Sequence, residues 1–166
     1  MSEIGETKFD QIVERLLAGG VDFIVVGGLA AAAHGSARAT LDVDIVYART
    51  RQNIRKLVSA LGPLQPYLRG APPGLPFKFD ERTVRLGLNF TLQTRLGWLD
   101  LLGEVAGGGD FFRLLPFSEQ MEVFGGVCRV VTLEKLIQLK RAAGRPKDLE
   151  ALAELQALLE ERRRLE

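Results

Sequence analysis

The sequence predicts an α+β fold, a mixed β-sheet flanked by α-helices with a pair of helices at the C-terminal end. Three observations carry that prediction. Helix-like and strand-like periods alternate early in the chain, two strand-like runs in the middle are close enough to pair antiparallel, and everything from Thr132 onward has helical spacing. With 166 residues, 46% of them hydrophobic and 26% charged, the chain reads as one domain over residues 1–166, the helices 132–163 packed on it.

Each element has its own warrant. "TKFDQIVERLLAGG" spaces Phe9, Ile12, Val13, Leu16 and Leu17 as a helix and stops at Gly19 and Gly20. "VDFIVVGG" is a β-branched and aromatic run ending in a glycine pair, and "LAAAAHG" after it favours helix. "LDVDIVYA" reads as the next strand, and "TRQNIRKLVSALG" as a helix with Ile54, Leu57, Val58 and Leu61 on one face. Five of the seven prolines fall between Pro63 and Pro76, which predicts a loop there. "TVRLGLNF" and "RLGWLDLLG" read as strands joined through "TLQT", and "MEVFGGVCRVV" as a hairpin turning at Gly125 and Gly126. "TLEKLIQLKRAAG" starts from a Thr132 cap and stops at Gly144, and Pro146 opens the final helix.

Composition excludes several classes of function. The first residues lack the basic start and apolar run of a leader, and no apolar stretch approaches the roughly 18 residues of a membrane span, so a cytoplasmic protein without membrane contact is expected. One cysteine and one histidine, Cys128 and His34, cannot build a zinc site, so any metal must be held by oxygen. A net charge of +1 gives no general case for a nucleic-acid coat. His34, in an alanine-rich helix, reads as a packed or surface residue rather than a general base, and Arg49, Arg51, Arg55 and Lys56 read as a solvated helix start.

The chemistry concentrates in carboxylates. Alternation along the strand puts Asp42, Asp44 and Val46 on one face and Leu41, Val43, Ile45 and Tyr47 on the other, which must be the core face. Same-side neighbours lie about 6.5–7 Å apart along a strand, and two carboxylates that close either line a wet face or share a hard cation. Asp100 sits in a strand apolar on both faces, where it needs a partner: an arginine, or a cation shared with the other two aspartates. Lys140 falls in the middle of the apolar stripe of its helix with Leu133, Leu136 and Ile137, so it either snorkels past the core edge or meets an anion. Gly27 and Gly28, between a strand and a helix, would let phosphate oxygens approach the backbone; their spacing is neither a dinucleotide fingerprint nor a Walker loop.

Taken together, "VVGGLAAAAHGSARATLDVDIVY", "LDLL" and "LEKLIQLKRAAGRPKDLEALAEL", in that order, resemble the nucleotidyltransferases of the DNA polymerase β-like superfamily, toxin-type branch, over about Val21 to Leu158. The resemblance implies the nucleotidyltransferase fold and a role for each matched position. Asp42, Asp44 and Asp100 would be the catalytic carboxylates and would hold Mg²⁺. Gly27, Gly28, Arg38, Thr40, Lys140, Arg145, Lys147 and Asp148 would form the nucleotide site, the last three matching an "R-x-K-D" signature and Arg38 and Thr40 an "R-x-T-x-D-x-D" run. It also implies transfer of NMP from an NTP to an RNA (a tRNA) or protein acceptor, with an antitoxin as partner. An inactive nucleotide-binding or partner-binding module is the alternative.

Overall fold

The computed structural model describes residues 7–166, so residues 1–6, where no leader is read, lie outside the described part. The predicted helical stripe forms α1 (Phe9–Ala18), which buries Ile12, Val13 and Leu16. It is followed by β1 (Phe23–Val26), buried along its whole length, and by α2 (Gly27–Ala33). β2 (Asp42–Tyr47) runs antiparallel to β1, and α3 (Arg51–Leu61) starts where the Thr50 hydroxyl accepts the Asn53 backbone N–H at 3.2 Å.

The middle of the chain departs from its predicted pattern in three places. Inside the proline-rich loop, Tyr67–Leu68 forms β3, a two-residue strand, and Pro66 lies just outside it, as proline does at a sheet edge. Residues Glu81–Leu86 form a helix, α4, where a strand is predicted. The apolar alternation Val84, Leu86, Leu88 and Phe90 misleads, since Leu86 is 73% exposed, whereas Asp80 accepts the Thr83 N–H at 2.8 Å and caps the helix. The pairing strand β4 is Phe90–Thr94 and includes the "TLQT" read as a connector; the true turn is Arg95–Leu96 into β5 (Gly97–Leu102). After a short α5 (Phe111–Leu114), β6 (Ser118–Val123) and β7 (Gly126–Val131) make the expected hairpin, with left-handed Phe124 and Gly125 as its turn. The C-terminal pair is α6 (Leu133–Ala143), capped by Thr132, and α7 (Pro146–Arg164).

The seven strands form one mixed sheet in the order β3-β4-β5-β2-β1-β7-β6. Two neighbouring pairs are parallel, β1 with β7 and β2 with β5, and the others antiparallel. α1 and α3 cover the face that receives Val43, Ile45 and Tyr47. α2, α6 and α7 cover the other, the face of Asp42 and Asp44. Leu41, expected in the core with Val43, is 64% exposed because it precedes the strand, while Val46, on the carboxylate face, is fully buried beyond the aspartates. His34 is a packing residue. Its Nε2 lies 2.8 Å from the Val131 carbonyl, and its Nδ1, 3.1 Å from Arg162 Nη2, is the acceptor of that pair because arginine can only donate. Arg49 is not solvated as expected: its guanidinium donates to the Gly87 and Arg85 carbonyls that end α4 and to the Tyr47 hydroxyl. Among the described residues no helix is long and apolar enough to cross a membrane.

Candidate active site

Parallel pairing of β2 with β5 sets Asp44 opposite Asp100 and Asp42 opposite Trp98, so carboxylates far apart in sequence emerge side by side. One oxygen from each of Asp42, Asp44 and Asp100 lies within 4.8 Å of the others. Among the described residues these three form the one such group. Asp44 Oδ1 is buried and has no hydrogen-bond partner, an arrangement that normally costs a carboxylate several kcal/mol. Burial and the charges of Asp42 and Asp100 push the Asp44 carboxyl up to about 8, against a smaller opposing pull from Lys140. Burial also raises Asp100, as does the charge of Asp42, while Arg69 acts the other way. Three oxygen donors, one of them orphaned and all mutually repelling, fit a hard divalent cation.

The glycine pair has a reason internal to the chain. Gly27 has φ +64°, and a Cβ on it would run into the Asp44 carboxylate; a Cβ on Gly28 would run into the Thr40 side chain. The missing side chains therefore make room for a site aspartate and its neighbour. Thr40 in turn donates from its hydroxyl to the Asp42 carbonyl at 3.2 Å and lies 3.5 Å from Asp42 Oδ1.

The α6–α7 corner brings the basic residues. Lys140 points inward as its stripe position requires, and its ammonium lies 3.3 Å from the fully buried carboxylate of Asp148. Arg145 Nε donates to the same carboxylate at 2.6 Å. Burial alone would raise Asp148, but the Arg145 hydrogen bond and the Lys140 charge outweigh it and hold the carboxyl below its ordinary value. Asp148 is thus a clasp between the two cations.

A cleft of about 420 Å³ collects the predicted residues: Gly28, Arg38, Thr40, the three aspartates, Lys140, Arg145 and Lys147 all line it. Gly27 and Asp148 do not; they line a second, more apolar cavity of about 250 Å³ that shares Asp44, Lys140 and Arg145 with the first. Arg38 stands at the mouth, paired with Glu150 at 3.8 Å. Sequence reasoning missed Arg69. It follows β3, donates from Nη2 to Asp100 at 2.9 Å and to the Leu92 carbonyl at 2.7 Å, places Nη1 3.7 Å from Asp42, and lies over the Trp98 ring at 4.6 Å. The only signal for it was the requirement that Asp100 have a partner.

A cleft of this kind, with clustered carboxylates facing two clasped cations, can bind a polyphosphate together with its metal. The family model for nucleotidyltransferases of unknown function (DUF6036) matches residues 8–98, over half of the chain, including β1, α2 and the Asp42–Asp44 strand. The chain belongs to this family. It is a nucleotidyltransferase. No curated protein matches it by sequence. Solved structures share its fold at low identity. TM1012 of Thermotoga maritima, assigned as a nucleotidyltransferase, is 18% identical with a TM-score of 0.55 over 89% of each chain. The lincomycin-bound lincosamide antibiotic adenylyltransferase LnuA is 12% identical with a TM-score of 0.60, over 93% of this chain and 99% of its own. The antibiotic-resistance factor ANT(2'')-Ia is 14% identical with a TM-score of 0.52, over 97% and 96%. At these identities the likeness is one of fold.

Proposed function

We propose that this nucleotidyltransferase is Mg²⁺-dependent and transfers NMP from an NTP to a hydroxyl on an RNA, such as a tRNA, or on a protein, acting in the cytoplasm as the toxin of a toxin–antitoxin pair. The observation that carries the reading is the convergence of Asp42, Asp44 and Asp100 around an unpartnered buried oxygen, facing Lys140 and Arg145 across one cleft. Asp42, Asp44 and Asp100 would hold the Mg²⁺, which would supply neutralisation of the charge that develops on the phosphates.

The chain's own residues do the rest. Lys140 and Arg145, clasped by Asp148, present their remaining N–H donors to the triphosphate; Lys147 and Arg38 add charge at the rim. Asp100, raised by burial, accepts the proton of the acceptor hydroxyl. The acceptor oxygen bonds to the α-phosphorus as the bond to the β-phosphate bridge breaks, and pyrophosphate leaves. The choice of acceptor and of an antitoxin partner is supported by the toxin-type run Arg38-x-Thr40-x-Asp42-x-Asp44.

A second reading, a module that binds nucleotide or a partner protein without catalysis, is favoured by one observation: Arg69 already pairs with both Asp42 and Asp100. Labelled NTPs with Mg²⁺ and either total RNA or the co-encoded partner protein separate the two. Wild type should label an acceptor and Asp42→Asn should not, while remaining folded. Wild type that binds NTP and labels nothing would establish the second reading.

A further inference from the structure

We infer that Arg69 is the resident counter-cation of the three carboxylates and competes with the divalent metal, so that metal loading requires its guanidinium to leave Asp42 and Asp100. This rests on the metal reading above.

A guanidinium can engage one carboxylate with two of its N–H groups, as Arg145 engages Asp148 through Nε and Nη2. Arg69 does not. Its prongs are split between Asp100 at 2.9 Å and Asp42 at 3.7 Å, and its Nε is buried without a partner. Arg69 makes no ion pair with the third carboxylate, and Asp44 Oδ1 stays orphaned. The arginine therefore offsets the repulsion of the cluster without completing it. Mg²⁺ needs carboxylate oxygens at about 2.0–2.1 Å in octahedral order, and Asp100 and Asp42 each have one oxygen already in contact with Arg69.

Arg69 stands just after a two-residue edge strand, and its guanidinium carbon lies 4.6 Å from the Trp98 ring centroid, so movement away from the carboxylates changes this cation–π contact. Its Nη2 also donates to the Leu92 carbonyl at 2.7 Å, so this prong is not committed to Asp100 alone. Trp98 is the chain's single tryptophan, so its emission reports this stack alone.

The test uses the full chain stripped with EDTA. Mn²⁺ affinity is measured by calorimetry for wild type and Arg69→Gln, and Trp98 emission is followed during Mg²⁺ titration. Arg69→Gln should bind Mn²⁺ about tenfold more tightly, the scale of one charge-assisted hydrogen bond released from competition. Mg²⁺ should shift wild-type emission toward that of Arg69→Gln and leave the variant's emission nearly unchanged. If Arg69→Gln does not fold without metal, Arg69→Lys replaces it: a single ammonium cannot span both carboxylates, and its Mn²⁺ affinity should also exceed wild type. Equal or weaker Mn²⁺ binding in the variant, or wild-type emission unmoved at saturation, would overturn the inference and leave the metal reading standing. Absence of Mn²⁺ binding in both proteins would overturn the metal reading and this inference with it.

Discussion

Replacing Asp44 by asparagine should stabilise the metal-free protein at pH 8 and abolish its response to metal. The carboxyl is raised from 3.8 to about 8 by burial and by Asp42 and Asp100. Between those two values the folded state holds a proton that the unfolded chain has released, so wild-type stability falls as pH rises from about 4 toward 8. Taken at about 1.36 kcal/mol per pH unit, the interval of about four units sets a ceiling near 6 kcal/mol. Solvent at the open mouth of the cleft screens much of this, and about 2 kcal/mol is the working expectation. Asparagine has the same shape, carries no charge, and can donate to Asp100 from its amide much as the protonated aspartate does. For a chain of this length about 2 kcal/mol corresponds to about 4–8 °C in Tm. The assay is thermal unfolding in EDTA at pH 5 and pH 8. The variant should exceed wild type at pH 8, the gap should close at pH 5, and Mg²⁺ should raise Tm for wild type alone. A variant less stable at pH 8, or a gap that does not narrow at pH 5, would refute the reasoning.

The other expectations follow from the same geometry. Metal loading must expel the Asp44 proton, so Mn²⁺ binding should release about one proton and tighten from pH 6 to pH 8, as read by calorimetry in buffers of different ionisation enthalpy. Gly27→Ala places a side chain at φ +64° against the Asp44 carboxylate; it should cost about 1–3 kcal/mol and remove the Mg²⁺-induced rise in Tm. Lys140→Ala should diminish the Tm rise caused by NTP with Mg²⁺ more than Lys135→Ala, because Lys135 turns away toward Gln138 and Phe117. Equal losses would take Lys140 out of the phosphate site.

Most of the fold was readable because the signals were local. The stripe of α1, the Thr132 cap and Gly144 stop of α6, and the Pro146 start of α7 each depend on residues within a turn or two of one another. The errors cluster in residues 62–96, where local signals conflict. Val84, Leu86, Leu88 and Phe90 alternate like a strand, but Asp80 supplies a helix cap, and the cap wins because the alternating leucines face solvent. The paired aspartates could be placed on one face from alternation, and the inward turn of Lys140 from its stripe. What could not be read was the identity of partners across the fold. The clasp Asp148 makes on Lys140 and Arg145, and the grip of Arg69 on Asp100 across thirty-one positions, depend on strand order and on a corner between helices.

The parallel pairing of β2 and β5 has a consequence for how this scaffold tolerates change. The spacing between Asp44 and Asp100 is set by ladder hydrogen bonds, which fix which residues face each other whatever the chain does in between. The intervening chain leaves β2 at Tyr47 and reaches β5 at Gly97 after α3, the proline-rich loop with β3, α4 and β4. Residues 70–79 within it, short of the Asp80 cap, can be lengthened, shortened or exchanged without moving the carboxylates, since loop closure cost grows only slowly with length. A single-residue insertion inside β5 is the opposite case: it slips the register, turns Asp100 to the far face and separates it from Asp44 at one stroke. The molecule thus divides into a ladder that must stay in register and a bordering segment open to remodelling.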